Sequence, residues 1–324
     1  MTLTNRGYVK RSTDDVFRTQ HRGGRGVTGV KMRDEDAVQH ILAANSHDWL
    51  LVFTNRGKVY QLKVHELPDS GRTAKGMPII NLVNMQPDET VTTLMKVKDY
   101  DSAQYLFFTT RLGRVKRTEL SQFRSVRSSG LIAIGIDPED ELAWVRMTSG
   151  NDDIVLVSQG GQAIRFSEDD VRSMGRQAAG VIGIRMDPGD RVIASEAVVD
   201  GLDLLVVAEK GLGKRTATRH FSAQGRGGKG VQAMRLTPKT GQIVGAGMVN
   251  DEHALMLMST SGKVIRLPVS QIPTIGRTTQ GVALMKLDRD ESVATMTIVE
   301  KKEEEIDPTL PALNGNGRTD SNES

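Results

Sequence analysis

Short runs of apolar residues recur along the chain, and each is followed by a glycine turn and a basic segment. The run reads LLVFTNRGKVYQL in one copy and LMLMSTSGKVIRL in another. The turn glycines lie 50, 56, 48, 50 and 51 residues apart, at Gly7, Gly57, Gly113, Gly161, Gly211 and Gly262. A second glycine, here named the anchor glycine, recurs at spacings of 50, 54, 50, 50 and 51, at Gly26, Gly76, Gly130, Gly180, Gly230 and Gly281. Because two independent positions share one period, the sequence predicts six tandem repeats.

Each repeat is predicted to form four short β-strands separated by Gly, Pro and Asp turns. In the second repeat the predicted strands are Trp49–Thr54, Lys58–Val64, Met77–Val83 and Thr90–Val97. No segment keeps a 3.6-residue apolar period, so very little helix is expected. Six antiparallel four-stranded units favour an all-β, propeller-like closed disc, because closure protects the sheet edges. An open solenoid is the alternative.

The repeats divide the chain into one predicted domain and a tail. The domain covers residues 1–299, with repeats at about 1–45, 46–99, 100–150, 151–200, 201–250 and 251–299. Residues 300–324 contain seven acidic and three basic residues and are predicted to be a disordered tail. An acidic tail of this kind either competes with a polyanion for the domain or only keeps the chain soluble.

Composition excludes several classes of protein. The 324 residues include no cysteine, which excludes disulfides, thiolate nucleophiles and cysteine-ligated zinc. No apolar run approaches the roughly 20 residues of a membrane-spanning helix, and no signal peptide opens the chain. The six histidines have no metal-ligand spacing, so no metal site is predicted.

The net charge of +3 conceals a sorting of charge within each repeat. Acidic residues cluster between the third and fourth predicted strands, whereas residues 210–250 contain eight cations and no acid. The cations predicted to form a basic rim are Lys10, Arg11, Arg72, Lys75, Arg114, Lys116, Arg117, Arg176, Lys214, Arg215, Arg226, Lys229, Lys263, Arg266 and Arg277. A basic band separated from the acids is typical of polyanion binding, and an ordinary solvated surface is the alternative. Aromatic residues make up only 4%, which favours a duplex over a single strand.

Two glycine-rich boxes lie in the long loops before anchor glycines. The first reads QHRGGRG and consists of Gln20, His21, Arg22, Gly23, Gly24, Arg25 and Gly26. It closely resembles the seven-residue box of the C-terminal domains of the DNA gyrase A family, departing from that pattern only at His21. The resemblance extends from Gly7 to about Val299 and includes ANSHDWLLVFTNRGKVYQLKVHELP in the second repeat. The box of repeat five, QGRGGKG, is a weaker match because Gly225 replaces a cation.

The resemblance implies a six-bladed β-pinwheel whose blades exchange strands. It further implies chiral wrapping of double-stranded DNA around the rim, which gives negative supercoiling its direction, with the first box needed for wrapping. The implied partners are the remainder of the gyrase A protein and the gyrase B protein in an A2B2 assembly, in the bacterial cytoplasm at the nucleoid. The isolated domain is expected to be monomeric.

No catalytic residue and no cofactor are expected in this chain. By the resemblance, ATP binds the gyrase B protein, and the cleavage tyrosine belongs to the N-terminal portion of the gyrase A protein. The four tyrosines here stand in other contexts. Two alternatives are the topoisomerase IV counterpart, which binds DNA without strong wrapping, and a propeller that serves as a protein-interaction platform. The intact first box argues against the former, and missing Trp-Asp or kelch signatures argue against the latter.

Overall fold

Strands account for nearly all the regular structure. The computed structural model describes residues 1–4, 6–11, 38–42, 44–70, 74, 76–127 and 129–299. Repeats one to three contribute β1 (Thr2–Thr4), β2 (Tyr8–Lys10), β3 (Val38–Ile41), β4 (Trp49–Thr54), β5 (Lys58–Lys63), β6 (Met77–Pro78), β7 (Val91–Val97), β8 (Tyr105–Thr110), β9 (Arg114–Glu119), β10 (Leu131–Ile132) and β11 (Leu142–Thr148). Repeats four to six contribute β12 (Asp153–Ser158), β13 (Gln162–Ser167), β14 (Val181–Ile182), β15 (Val192–Ala197), β16 (Asp203–Ala208), β17 (Leu212–Ala217), β18 (Val231–Gln232), β19 (Ile243–Val249), β20 (Ala254–Ser259), β21 (Val264–Pro268), β22 (Val282–Ala283) and β23 (Val293–Val299).

Helical structure in the described residues is confined to short 3-10 turns. Most of them follow the second strand of a repeat. Their bounds are Val64–Glu66, Ile79–Asn81, Leu120–Phe123, Glu168–Asp170, Thr218–His220 and Val269–Gln271. The expectation of very little helix is confirmed.

In repeats two to six, the third strand pairs with the second strand of the preceding repeat. Thus β6, β10, β14, β18 and β22 pair antiparallel with β2, β5, β9, β13 and β17. In the second blade Leu131 lies opposite Val59. Each blade therefore runs from its own fourth strand to a strand borrowed from the next repeat, as in β7-β4-β5-β10. In the described part of the chain, the sixth sheet has three strands, β21-β20-β23.

The six blades form a ring with their fourth strands innermost. Neighbouring fourth strands contact one another from β7 through β11, β15 and β19 to β23. A central cavity is lined by Thr4, Thr93, Trp144 and Thr297, so the first and sixth repeats meet across it. The predicted all-β, six-bladed β-pinwheel and the exchange of strands between blades are both confirmed.

The hydrophobic core lies between neighbouring blades. On β4, Leu50 packs toward repeat one and Leu51 packs toward repeat three, and both are fully buried. The rings of Phe53 and Phe108 meet edge to face with centroids 5.8 Å apart, and Phe123 completes the cluster. Because the first strand of a blade is covered on both faces, its apolar run is continuous rather than alternating.

The third strand is shorter than the sequence predicted. Met77–Val83 was expected to be one strand, but pairing stops at Pro78 and a 3-10 turn follows. The Ile79 N–H donates to the Gly7 carbonyl at 2.8 Å, which turns the chain inward. Ile79 and Val83 then pack into the core shared by the first two blades. Burial of these side chains therefore ends the strand.

Anchor glycines lie where the chain crosses from one blade to the next. Gly180 has φ +80°, and a Cβ there would lie 2.4 Å from the Val115 carbonyl oxygen. Gly230 has φ +75°, and its Cβ would lie 2.3 Å from the Ala163 carbonyl oxygen. Both the positive φ and the close backbone approach exclude a side chain. This explains why the anchor glycine recurs with the repeat.

We predict that Gly180→Ala lowers the free energy of unfolding by about 2–5 kcal/mol. A left-handed residue costs about 1–2 kcal/mol, and overpacking adds about 1–3 kcal/mol. Gly189→Ala is the matched control, because Gly189 has φ +84° with no atom within 4 Å of its Cβ. The control should lose only about 1–2 kcal/mol. Urea unfolding measures both, and equal losses would contradict the steric explanation.

Candidate nucleic-acid interface

The segment between the second and third strands of a repeat is here named the rim loop, and in repeats two to six it lies at the outer edge of the preceding blade. Its beginning pairs in parallel with the end of that blade's second strand. Such bridges join Arg117 to Ser173, Arg165 to Ala223 and Arg215 to Thr274. The borrowed strand that follows the loop is the outermost strand of the same blade. Strand exchange therefore places every described rim loop across a boundary between repeats.

Main-chain hydrogen bonds also join the segment after each of three borrowed strands to the next rim loop. The residue five positions after an anchor glycine donates its N–H to a carbonyl in the next rim loop. These bonds are Gly135 to Ala178 at 3.2 Å, Arg185 to Gly228 at 2.8 Å, and Arg235 to Thr279 at 3.0 Å. These bonds thus link the outer edge of the disc from repeat to repeat over repeats three to six.

The first glycine-rich box lies outside the described residues. This applies to all of residues 20–26, and also to Arg72 and Lys75 of the predicted rim. The box of repeat five is described. Its Arg226 and Lys229 are exposed, and Gly227 has φ +77°. Glycine adopts the positive φ at Gly227 without the steric cost that a side chain would bring.

Three lysines that the sequence placed on the rim lie inside the blades. Lys116 and Lys214 have no exposed surface, and Lys10 is 2% exposed. The Lys116 Nζ donates to the carbonyls of Ala133 at 2.5 Å, Arg176 at 2.6 Å and Gly175 at 3.2 Å. Their position on an exposed rim was therefore wrong, because the rim loop of the next repeat covers the second strand that carries each lysine.

Burial changes the titration of these lysines. It lowers the pKa of Lys116 to about 7 and that of Lys214 to about 8, with smaller contributions from the charges of Arg176 and Arg277. Burial also lowers the pKa of Lys10. The carbonyl oxygens around each ammonium oppose this shift, because they favour the charged form.

The arginines that follow these lysines also make internal contacts. Arg117 and Arg215 are buried, at 7% and 8% exposure. The Arg215 Nε donates to the Ile272 carbonyl at 2.7 Å, and a terminal nitrogen contacts Asp251 at 2.6 Å. Arg11 lies 3.9 Å from Asp69 and is partly buried. These guanidinium groups hold the 3-10 turns and loop entrances, so their placement on the exposed rim was wrong for Arg117 and Arg215.

The acidic turns are not separated from all the basic positions. Antiparallel pairing of the first and fourth strands puts each described acidic turn beside the glycine hairpin of the same blade. Accordingly, Arg114 lies 3.3 Å from Asp137, and Lys263 lies 2.5 Å from Asp288. Lys229 of the fifth box lies 3.1 Å from the carboxylate of Asp187. The predicted separation of charge therefore fails at these positions, although exposed pairs of this type are weak, at about 0–1 kcal/mol.

The clearest basic feature is an arginine four residues before the anchor glycine. It occurs in five of the six repeats, as Arg22, Arg72, Arg176, Arg226 and Arg277. In the structure, Arg226 donates to the Ile182 carbonyl at 3.2 Å, and Arg277 donates to the Gln232 carbonyl at 3.0 Å. Those carbonyls occupy the same position of successive repeats. Arg176 instead donates to the Gln122 carbonyl at 2.8 Å.

Each of these arginines is thus tethered to the preceding repeat by part of its guanidinium group. The other nitrogens keep donors for a ligand, because guanidinium has five N–H groups. We name Arg176, Arg226 and Arg277 the register arginines. A groove beside Arg176 is also lined by Arg127, Gly130 and Ile132 of the neighbouring repeat.

Sequence reasoning missed several exposed cations in and beside the rim loops. Within the described residues their side chains make no ion pair or hydrogen bond, and they are Arg127, Arg172, Arg185, Arg219 and Arg235. A repeat alignment offers a signal for two of them. Arg185 and Arg235 both stand five residues after an anchor glycine, where the sixth repeat has Lys286. Arg266 of the predicted rim is also exposed.

Two further features are absent from the described part of the chain. No group of three or more His, Asp or Glu side chains there could hold a metal ion. Likewise, none of its helices has the length and apolar character needed to cross a membrane.

The profile of one protein family covers all six repeats. It is the DNA gyrase C-terminal domain, beta-propeller, and it matches residues 1–45, 48–98, 104–149, 152–198, 202–250 and 253–300. The chain belongs to this family. The DNA gyrase A protein of Halalkalibacterium halodurans is 52% identical over 307 residues, and that of Streptococcus pyogenes serotype M1 is equally similar. The alignments cover 95% and 94% of this chain but 37% of each relative.

Solved structures show the same architecture. A C-terminal domain of DNA topoisomerase IV matches with a TM-score of 0.81 over 92% of both chains. A DNA gyrase A C-terminal domain matches with a TM-score of 0.73, over 92% of this chain and 98% of its own. Both are 27% identical to this chain, so these two sequence identities do not separate a gyrase domain from a topoisomerase IV domain. The 52% identity to a DNA gyrase A protein is higher, and it places this chain with the C-terminal domains of gyrase A.

We predict that Arg215→Met lowers the free energy of unfolding by about 1–3 kcal/mol, because it removes hydrogen bonds made by a buried charged group. Arg266→Met is the matched control, since Arg266 occupies the same position of repeat six but is exposed. The control should change stability by less than about 0.5 kcal/mol. Urea unfolding of both variants provides the measurement. A larger loss in Arg266→Met than in Arg215→Met would refute the division into internal and exposed arginines.

Proposed function

We propose that this gyrase C-terminal domain binds and bends duplex DNA along its rim loops. The observation that carries the proposal is the repeated placement of the register arginines on loops linked from repeat to repeat. Each is oriented by a bond to the preceding repeat and retains free donors. Such an array matches a ligand with regularly spaced negative charges, and duplex DNA is such a ligand because of its phosphates.

Binding around the rim requires bent DNA. Bending 20–30 base pairs smoothly by 40–90° costs about 1–6 kcal/mol. Each phosphate neutralised by an arginine or lysine releases counterions, which offsets this cost. Cations distributed over successive repeats therefore suit a curved path better than one concentrated patch would. We expect the binding to tolerate different sequences, because phosphate contacts carry no base information.

Within the whole enzyme we assign the domain a mechanical role. Gyrase passes one duplex through a transient break in another, and a chiral wrap would determine the sign of the crossing that is inverted. The domain is proposed to act with the remainder of the gyrase A protein and with the gyrase B protein in an A2B2 assembly, to be monomeric alone, and to supply no catalytic group or cofactor. Wrapping by the first box, residues 20–26, rests on its resemblance to the family motif.

A second candidate is DNA binding without a strong chiral wrap. It is favoured by the TM-score of 0.81 to the topoisomerase IV domain. The two candidates share the rim and differ in what the DNA does after it binds. A topological assay therefore separates them.

For the isolated chain we predict strongly salt-dependent binding to a 40-base-pair duplex. With about 6–10 phosphate contacts, affinity should fall about 10³–10⁵-fold between 50 and 200 mM salt. Fluorescence anisotropy over a salt series at constant pH measures this slope. A dissociation constant that hardly changes with salt would exclude the proposed electrostatic rim.

We predict that Arg22→Ala with Arg25→Ala abolishes most chiral wrapping but leaves the fold intact. Nicked circles ligated with the unmodified chain should carry a positive linking difference, and those ligated with this variant should carry almost none. Arg226→Ala with Lys229→Ala is the matched control, because it removes the same charge from the box of repeat five. The control should weaken binding while retaining the sign of the wrap. An unchanged linking difference in the Arg22/Arg25 variant would count against the box, and no linking difference for the unmodified chain would favour the second candidate.

A further inference from the structure

The buried lysines occur in alternate repeats. They stand three residues after the turn glycine in the first, third and fifth repeats, as Lys10, Lys116 and Lys214. The second, fourth and sixth repeats have Tyr60, Ile164 and Ile265 at that position. In repeats one to five, this residue lies beneath the rim loop of the following repeat. An ammonium therefore lies beneath one loop, and an aromatic or aliphatic side chain lies beneath the next.

Lys116 and Lys214 bind the same part of the loop that covers them. Lys116 donates to the carbonyls of Gly175 and Arg176. Lys214 donates to the carbonyl of Gly276 at 2.7 Å and also to that of Arg277. In both cases the acceptor pair is a register arginine and the glycine before it. Lys10 makes a related bond, at 2.9 Å, to the carbonyl of Ala74 in the rim loop of repeat two.

The loop with the described glycine-rich box is supported differently. Beneath it lies Ile164, whose Cδ1 would be 3.6 Å from a Cβ on Gly228. An isoleucine offers no donor to the carbonyls of Gly225 and Arg226. Likewise, the Tyr60 hydroxyl donates to Glu89 at 2.7 Å rather than to the rim loop above its ring. Rim loops held by an ammonium thus alternate with rim loops that pack on a side chain.

We propose that Lys116 and Lys214 are positioning residues. They hold the backbone of Arg176 and Arg277 so that the guanidinium groups of these arginines contact the phosphates of bound DNA. The proposal rests on the DNA-binding function proposed above. In its charged form, a lysine with three carbonyl or hydroxyl acceptors fixes the loop more strongly than neutral hydrogen bonds do, because charge-assisted bonds are about twice as strong. The lysines themselves are too deeply buried to touch a duplex.

A double-mutant cycle tests this division of roles. Its variants are Lys116→Met, Arg176→Ala and the double variant, each confirmed as folded by circular dichroism and urea unfolding. Binding to the 40-base-pair duplex is measured by anisotropy over a salt series. If Lys116 acts through Arg176, each single variant should lower the salt slope by about 1, and the double variant should also lower it by about 1. A slope lowered by about 2 in the double variant would overturn the proposal.

The matched control cycle combines Lys116→Met with Arg226→Ala, because Arg226 lies in a loop without a lysine beneath it. Here the two losses should add, giving a slope lowered by about 2. Unchanged binding by a folded Lys116→Met variant would show that the lysine serves stability alone and would also overturn the proposal.

The same cycle with Lys214→Met and Arg277→Ala gives a second test in another blade. If a methionine variant does not fold, glutamine at the same position retains a shorter donor and replaces it in the cycle. Should the unmodified chain not bind DNA, the proposed function itself fails. Should it bind while the lysine variants bind equally well, only the positioning role fails.

Discussion

Pairing of each third strand with the preceding repeat is the constraint on which the rest of the structure depends. It completes a blade from two repeats, so no single repeat can bury its own outer strand. It also carries the rim loop across the boundary between blades, where the loop covers a second strand that belongs to another repeat. The core follows the same logic, because its clusters lie between neighbouring blades rather than at one centre.

Positive charge has two uses in this arrangement. Some cations satisfy buried carbonyls, as Lys116 and Lys214 do, and therefore contribute to the shape of the loops. Others stand outside and retain donors, as Arg226 does. The acidic turns reduce the charge of the glycine hairpins beside them, as the pairing of Arg114 with Asp137 shows. The basic character of the rim therefore comes from the loops more than from the hairpins.

The repeat signal made most of the fold predictable. Glycines at constant spacing indicate positions where φ is positive or where two backbones approach closely. Continuous apolar runs indicate strands that are covered on both faces. The length of the third strand was harder to predict from the sequence. Ile79 continues an apolar run whether it pairs in a sheet or packs in a 3-10 turn. Only the hydrogen bond to the Gly7 carbonyl distinguishes these cases.

The candidate site was predictable in part, and again the repeats explain why. The arginine four residues before the anchor glycine can be recognised from the sequence alone, since it recurs in five repeats. Lys116 could have been recognised as internal, because Tyr60 and Ile164 occupy its position in the adjacent repeats. Arg114 precedes it by two residues on the same strand, yet it remains partly exposed, and its guanidinium contacts Asp137 and the Gly180 carbonyl.

The amino-acid sequence alone determined the number of blades, the class of the fold and the loops that carry arginine, because these depend on local turns and on a periodic pattern. Tertiary structure decided which cations reach solvent. That outcome depends on contacts between residues about 60 positions apart, such as Lys116 with Arg176, which strand exchange brings together and which no local pattern specifies.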